Sequence, residues 1–196
     1  QAIATAKRLG AVVECTDVRP ETKEQVESLG GSYLSVEGAE GVKTEGGYAR
    51  EVSAEYLEKQ QQLIREKIKE ADLVITTALV MGKKSPILVT EDMVKSMKAG
   101  SVIVDMAVES GGNCAISEKN ATVVKHGVTL VGESNLPSLL PVNASQLYAT
   151  NISTLAFHLV GESGITLDLE DEITKGVLIT HQGELVHAFT KQILSQ

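Results

Sequence analysis

The residue with the most evident chemistry in this chain is Asp17, an acid placed directly after the apolar segment 11–16 (AVVECT). In a dinucleotide-binding βαβ unit, an acid closes a strand about 20 residues beyond a glycine-rich turn and bonds the adenosine ribose hydroxyls. Counting back from Asp17 places that turn immediately before Gln1. The spacing therefore predicts a ribose-binding carboxylate in a nucleotide domain whose phosphate loop lies upstream of this sequence.

The charge of Asp17 also predicts the form of the cofactor. A carboxylate repels a 2′-phosphate, which favours NAD(H) over NADP(H). Arg19 lies two residues further on and could instead stack on adenine or bind a phosphate. The structural alternative for Asp17 is a loop aspartate that caps the helix beginning near Pro20.

A second group of candidate residues lies in the glycine-rich loop 37–50, which is longer than most strand-to-helix connections. The loop ends in GGYA, which contains Gly47 and Tyr48. Hinge glycines beside a tyrosine are typical of a lid that folds over a ligand and excludes water. A surface loop with an incidental tyrosine is the alternative.

Small and polar residues follow two further predicted strands. Thr77, Ala78 and Leu79 follow or close the strand predicted over 73–77, and the sequence DMAVE, ending at Glu109, closes the next one. Ligands bind outside the carboxyl ends of parallel strands, where small residues permit close approach. An ordinary strand-to-loop exit is the alternative for both segments.

No catalytic or metal-binding residue is predicted. The four histidines have no Cys, His or carboxylate at ligand spacing. Cys114 has no partner base in the sequence that would make it a nucleophile.

Composition excludes several classes of function. The 196 residues carry a net charge of −8 with no clustered Lys/Arg stripe, and there is no Trp, so nucleic acid is not expected as a ligand. No apolar run approaches the roughly 18 residues of a membrane-spanning helix. The two cysteines do not make a disulfide framework, which favours a reducing compartment.

The elements that must position these residues alternate between strand-length apolar runs and helical patterns. This alternation predicts an α/β fold with a Rossmann-like doubly wound parallel sheet for residues 1–135, followed by a C-terminal segment, 136–196, that returns to a second domain. Helices are predicted over 1–9, 20–29, 53–70 (capped by Ser53), 91–97 (capped by Thr90) and 143–160; strands over 11–16, 32–36, 73–77, 101–106, 121–125, 128–132, 165–169, 177–180 and 184–187; and a hairpin turn at 182–183.

Several segments resemble domain I of the proton-translocating NAD(P) transhydrogenases, namely 22–31 (TKEQVESLGG), 46–51 (GGYARE), 75–114 and 125–138 (KHGVTLVGESNLPS). The segment 75–114 is shared in kind with alanine dehydrogenases, which have the same fold. The sequences DVR at 17–19, GGYA at 46–49 and GGNC at 111–114 resemble the transhydrogenases and distinguish the two families. The resemblance covers nearly the whole chain.

The resemblance implies a domain that binds NAD(H), with NADP(H) held on a separate partner domain and hydride passing directly between the two nicotinamides. A transmembrane domain of the same enzyme would carry the proton. The resemblance also implies a homodimer at the cytoplasmic face of a bacterial inner membrane or the matrix side of the mitochondrial inner membrane. No transmembrane segment is expected in this chain itself.

The cofactor-binding residues expected from motif and matching position are Asp17, Val18, Arg19, Gly47, Tyr48, Gln60, Thr77, Ala78, Leu79, Glu109 and Asn135. The resemblance places Asp17, Val18 and Arg19 at the adenosine half of the cofactor. Hydride transfer needs no protein acid or base, because the cofactor carries the chemistry, so no catalytic residue is expected. The family's first domain and pyrophosphate loop have no counterpart in this sequence, and the chain alone is expected to be inactive.

Two other functions stay open at this point. One is an alanine dehydrogenase, which carries out NAD-dependent oxidative deamination of alanine. The other is a non-catalytic interaction module, against which Asp17 and the GGYA sequence argue. Activity with alanine or pyruvate tests the first alternative, and a cofactor titration tests the second.

Overall fold

The computed structural model describes residues 1–36, 44–45, 48–49, 53–80, 82–161 and 164–195 of the chain. The chain divides into two compact units, Gln1–Ser134 and Asn135–Gln196. Across the described residues, no helix combines the length and the apolar composition needed to cross a membrane.

The first unit alternates helices and strands, as expected of an α/β domain. Its elements, in chain order, are α1 (Ala2–Arg8), β1 (Glu14–Cys15), α2 (Thr22–Ser28), β2 (Ser32–Tyr33), β3 (Thr44–Glu45), β4 (Tyr48–Ala49), α3 (Ala54–Lys67), β5 (Leu73–Thr76), α4 (Glu91–Lys95), β6 (Val102–Asp105), a 3-10 turn (Val108–Ser110), β7 (Thr122–Lys125) and β8 (Val128–Val131).

Two of these helices begin at the capping residues that the sequence predicts. The Ser53 hydroxyl accepts a hydrogen bond from the Tyr56 N–H at 3.2 Å, and the Thr90 hydroxyl accepts one from the Met93 N–H at 3.4 Å. Each bond satisfies an N–H group that has no partner within its helix. The predicted starts of α3 and α4 are therefore confirmed, and both helices end two or three residues before the predicted limits.

A four-stranded sheet in the order β5-β6-β8-β7 forms the centre of the first unit. Strands β5, β6 and β8 are parallel, with Leu73 opposite Val102 and Val102 opposite Thr129. Strands β1 and β2 form a separate parallel pair, in which each strand is shorter than predicted. The predominance of parallel pairing confirms the predicted fold class.

Strand β7 departs from a wholly parallel sheet because it runs antiparallel to β8. The turn between them is His126-Gly127, whose φ angles are 54° and 79°. Positive φ at both central residues is typical of a type I′ hairpin, and a two-residue hairpin joins only antiparallel strands.

An apolar cluster fixes this sheet against helices α3 and α4. Met93 and Val94 of α4 and Ile103 of β6 are fully buried, and Leu130 of β8 and Ile68 beyond α3 belong to the same cluster. Burial of each such side chain contributes about 1.5–3 kcal/mol. The cluster thereby packs α4 and the end of α3 against one face of the sheet.

The other face of the sheet is more open to solvent. Leu73 and Ile75 of β5 and Val124 of β7 are 55%, 42% and 69% exposed. Pairing places Leu73, Val102, Thr129 and Val124 in one row across the sheet, on the face opposite Ile103. Among the described residues, the buried cluster therefore lies on one face only.

The second unit is helical with two short hairpins. Its elements are α5 (Leu136–Leu139), α6 (Pro141–Leu159), β9 (Val160–Gly161), β10 (Gly164–Ile165), α7 (Glu172–Val177), β11 (Thr180–His181), β12 (Glu184–Leu185) and α8 (Ala188–Leu194).

The long helix α6 and the hairpin turn at Gln182-Gly183 are as predicted, with Thr180 opposite Leu185. The strand predicted over 177–180 is wrong at its start, because Val177 ends α7. Asp171 caps α7 by accepting the Thr174 N–H at 2.7 Å. Of the strand predicted over 165–169, only Ile165 lies in a strand, and helices α5, α7 and α8 have no counterpart among the predicted elements.

Candidate functional site

Asp17 lies two residues beyond β1, at the carboxyl end of the parallel β1–β2 pair. Its Oδ1 atom accepts the backbone N–H of Arg19 at 2.9 Å and the Arg19 Nε at 3.0 Å. Its Oδ2 atom accepts the Arg19 Nη2 at 2.8 Å. The side chains of Asp17 and Arg19 are 28% and 38% exposed. A charged fork of this kind holds both groups in one orientation at the strand end.

The ion pair also sets the ionisation of both partners. Burial raises the pKa of Asp17, but the hydrogen bonds from the Arg19 side chain and backbone, together with the Arg19 charge, outweigh burial and hold that pKa below its usual value. The hydrogen bond to Asp17 is the main reason that the pKa of Arg19 is raised. Because both side chains reach solvent, the pair contributes below about 1 kcal/mol to stability.

Two tyrosines hold the backbone carbonyl of Asp17. Tyr33, the last residue of β2, donates its hydroxyl hydrogen at 2.7 Å. Tyr56 of α3 is buried and donates to the same oxygen at 3.5 Å, the long limit for a hydrogen bond. Thr22 fixes the next part of the turn, since its hydroxyl donates to the Arg19 carbonyl at 2.6 Å.

A second polar centre surrounds Asp105, which ends β6 and is 1% exposed. Its carboxylate accepts the backbone N–H groups of Ala107, Asn113 and Cys114 at 2.9 to 3.1 Å. Thr76, its neighbour on β5, donates a hydroxyl to Oδ1 at 3.3 Å. These donors offset the cost of burying a carboxylate and fold the chain after β6 into a tight loop.

Asn113 links that loop to the one after β5. Its side chain is fully buried. Its Oδ1 accepts the Ala78 N–H at 2.9 Å, and its Nδ2 donates to the carbonyls of Ala78 at 2.9 Å and Pro86 at 2.8 Å. The Asp105 carboxylate therefore sets the position of Asn113, and Asn113 sets the backbone of Ala78.

Glycine is required within this loop at position 112. Gly112 has a φ of +80°, and a Cβ added there would lie 2.8 Å from the Asp105 Oδ2. Any larger residue would be strained and would press on the carboxylate that organises the loop.

The remaining expected residues of the first unit occupy varied environments. Val18 is half-buried beside Asp17, and Gln60 is buried in α3 with 4% of its surface exposed. Thr77 and Leu79 flank Ala78 and are exposed, Leu79 by 54%. The structure thus presents these two side chains to solvent while Asn113 fixes the backbone between them.

Other expected residues lie at the surface or outside the described ranges. Glu109 is exposed and forms an ion pair with Lys119 at 3.5 Å. Asn135 is exposed and precedes α5 in the second unit. Gly47 lies outside the described residues, as does most of loop 37–50; the backbone of Tyr48 pairs with Glu45 in the β3–β4 hairpin.

The sequence-based prediction missed four residues that organise these centres. Tyr33 and Tyr56 are not among the predicted site residues. Both donate to the backbone carbonyl of Asp17, and no sequence motif indicates such a contact. Asp105 and Asn113 lie in segments that the sequence marks as candidates, but their own bonds are not foreseen. Asp105 ends an apolar strand, and the sequence Gly-Gly-Asn follows it at 111–113. This pattern is the signal that could have identified Asp105 and Asn113.

In the part of the chain that the structure describes, no group of three or more His, Cys, Asp or Glu side chains is arranged to hold a metal ion. The donors around Asp105 are N–H and O–H groups of the protein.

The sequence and the fold have counterparts in known proteins. The profile of the family described as "Alanine dehydrogenase/PNT, C-terminal domain" matches residues 1–188, and the chain belongs to this family. An NAD(P) transhydrogenase subunit alpha component from Rhodospirillum rubrum is 50% identical over 191 residues, which cover 95% of this chain and 50% of that protein.

Two solved structures have the same fold. The transhydrogenase from Sinorhizobium meliloti superposes with a TM-score of 0.75 at 45% identity, over 95% of this chain and 49% of that one. An L-alanine dehydrogenase superposes with a TM-score of 0.67 at 28% identity, over 99% and 49% of the two chains. The resemblance stated from the sequence is thus confirmed, and the chain spans about half the length of these relatives.

Proposed function

We propose that this chain forms the NAD(H)-binding part of domain I in a proton-translocating NAD(P) transhydrogenase. The relatives named as transhydrogenase subunit alpha support this reading, because they match most of the chain at up to 50% identity. The proposal assigns residues 1–135 to the nucleotide domain and 136–196 to the adjoining domain. Because the chain spans about half of those relatives, the activity belongs to the whole enzyme.

The observation that carries the proposal is the carboxylate of Asp17 at the end of β1. Arg19 supplies three hydrogen bonds to it, and the backbone of Val18 supplies a further one. Its side chain is still 28% exposed, so it fits a further donor such as a ribose hydroxyl. Its negative charge disfavours a 2′-phosphate, which supports NAD(H) as the cofactor of this domain.

The other expected residues have auxiliary roles in the proposal. Val18 and Arg19 complete the adenosine site, and Gly47 and Tyr48 form part of a lid. Gln60 and Leu79 are proposed to line the pocket, and the further residues proposed to bind the cofactor are Thr77, Ala78, Glu109 and Asn135.

NADH, when bound, would supply a hydride directly to NADP⁺ on a separate domain, which leaves NAD⁺ here and forms NADPH there. The residues of this chain only hold and orient NAD(H) and exclude water, so that the reacting carbons can approach to roughly 3–3.5 Å. Proton translocation is assigned to a transmembrane domain of the same enzyme. The proposal places this domain, as a homodimer, at the cytoplasmic face of a bacterial inner membrane or at the matrix side of the mitochondrial one.

Alanine dehydrogenase is the second candidate, favoured by the alanine dehydrogenase structure of the same fold. The alanine dehydrogenase of Staphylococcus haemolyticus matches 61% of this chain at 38% identity, which is less than the transhydrogenase relatives. Assay of the full-length protein separates the two: hydride transfer between NADH and an NADP analogue supports the proposal, and turnover of alanine or pyruvate contradicts it.

Titration of the full-length protein with NADH tests the cofactor site. Asp17→Asn is expected to weaken binding by about 1–3 kcal/mol, because a charge-assisted hydrogen bond is lost. Asp72→Asn is the matched control, since Asp72 is an exposed acid paired with Lys98. Equal affinities for both variants and the unaltered protein would remove Asp17 from the site.

A further inference from the structure

We infer that Tyr33 is a positioning residue that orients Asp17 toward the adenosine ribose. The inference rests on the proposed function, because it assigns to Tyr33 an effect on the cofactor that Asp17 transmits. Tyr33 is not among the cofactor-binding residues expected from the sequence, so the inference adds a residue to the proposed site.

The geometry places Tyr33 where it can act on Asp17 without contacting its carboxylate. Tyr33 pairs with Cys15 in the parallel β1–β2 ladder. Its hydroxyl extends to the carbonyl oxygen of Asp17, two residues beyond Cys15, and donates a hydrogen bond of 2.7 Å. The bond therefore fixes the chain at the point where the strand has ended and its ladder no longer constrains it.

Tyr56 reaches the same oxygen from α3. Its side chain is 3% exposed, and the O···O distance of 3.5 Å makes it the weaker of the two donors. A carbonyl oxygen has two lone pairs, so both hydroxyls can be accommodated. Burial, together with the proximity of Tyr33 and Asp17, raises the pKa of Tyr56, which keeps this hydroxyl protonated and able to donate.

Both ends of residue 17 are then fixed by different partners. Arg19 holds the carboxylate, and Tyr33 holds the backbone carbonyl. An acceptor whose direction is set before binding loses less conformational freedom when the ligand arrives. Removal of the Tyr33 hydroxyl should therefore weaken the contact that Asp17 makes, and should leave contacts made elsewhere unchanged.

The experiment is a double-mutant cycle in the full-length protein, with NADH affinity as the readout. Tyr33→Phe is expected to raise the Kd about threefold to tenfold, because Asp17 would then have to be ordered when the ligand binds. In the Asp17→Ala background, the same substitution is expected to change the Kd by less than about twofold. Tyr148→Phe is the matched control, because Tyr148 lies in α6 of the second unit and is 68% exposed.

Two further readouts separate positioning from a merely structural role. Tyr33→Phe should weaken the binding of 5′-AMP as much as the binding of NADH. It should leave the binding of nicotinamide mononucleotide unchanged. Equal losses for both fragments, equal losses in both backgrounds, or an unchanged Kd would each overturn the inference. If Tyr33→Phe does not fold, Tyr56→Phe takes its place in the double-mutant cycle with Asp17→Ala. A smaller rise in the Kd for NADH is then expected, and the absence of coupling to Asp17 would overturn the inference.

The outcomes for the proposed function are distinct from these. If Asp17→Ala leaves NADH binding unchanged, the proposed role of Asp17 fails, and the inference fails with it. If Asp17→Ala weakens binding and the Tyr33 cycle shows no coupling, the inference alone is overturned.

Discussion

The side-chain amide of Asn113 bonds both backbone groups of Ala78, accepting from its N–H and donating to its carbonyl, each at 2.9 Å. This pair of hydrogen bonds joins two loops that follow neighbouring strands, β5 and β6. Asn113 is itself held by the Asp105 carboxylate. The backbone beside Thr77 and Leu79 is therefore set from within the protein, before any ligand is present.

Replacing Asn113 by Asp should destabilise the first unit. A carboxylate would face the carbonyls of Ala78 and Pro86 with no donor between them, and buried acceptors without partners cost about 1–3 kcal/mol each. Urea unfolding should show a free energy of unfolding lower by about 3 kcal/mol. Asn151→Asp, on the exposed surface of α6, is the control and should change it by less than about 0.5 kcal/mol.

Gly112→Ala should be more destabilising than Gly100→Ala, although the two glycines have similar φ angles. Gly112 and Gly100 have φ angles of +80° and +87°, so an added Cβ is strained at both positions. A Cβ at Gly112 also meets the Asp105 Oδ2 at 2.8 Å, whereas one at Gly100 meets nothing within 4 Å. Thermal unfolding should show the larger fall in Tm for Gly112→Ala. Equal falls would contradict a close approach to Asp105.

Asp171 should titrate at unusually low pH. The hydrogen bond from His158, followed by those from the Thr174 backbone and hydroxyl, lowers the pKa of this carboxyl from 3.8 to about 2. Because the folded pKa is depressed, its stabilising contribution is complete above about pH 4 and is lost as the pH falls toward 2. Carboxyl NMR should place the midpoint near 2, and His158→Ala should move it upward. A midpoint near 3.8 in the unaltered protein would contradict the assigned contacts.

Truncating the cap of α3 should destabilise that helix. The Ser53 hydroxyl accepts the Tyr56 N–H, so Ser53→Ala leaves one N-terminal donor without its side-chain partner. We expect a loss of about 1 kcal/mol in the free energy of unfolding. Ser145→Ala, at an exposed position inside α6, is the comparison and should have no cost of this kind.

Local signals in the sequence predicted much of the fold. Ser53 and Thr90 cap the helices that they were expected to cap, because capping involves residues three positions apart. The Gln182-Gly183 hairpin is equally local. The extent of β1 and β2 and the start of the strand predicted over 177–180 were predicted less well, since strand length depends on pairing with a neighbour and not on the segment alone.

The candidate site shows the same division. The position of Asp17 after β1 follows from the pattern of apolar residues, and its role with a cofactor stays a prediction. The bonds of Asn113 to Ala78 and of Tyr33 to Asp17 join residues 35 and 16 positions apart. Such contacts arise only once strands are adjacent, so no spacing in the sequence reveals them. Residues of the expected lid, including Gly47, lie outside the described part of the chain.

The most direct measurement is a crystal structure of the full-length protein with NADH bound. We predict an Asp17 carboxylate oxygen at hydrogen-bond distance, about 2.6–3.2 Å, from a hydroxyl of the adenosine ribose. Cofactor density elsewhere on the protein, or a ribose held by other side chains while Asp17 remains engaged only by Arg19, would contradict this role of Asp17.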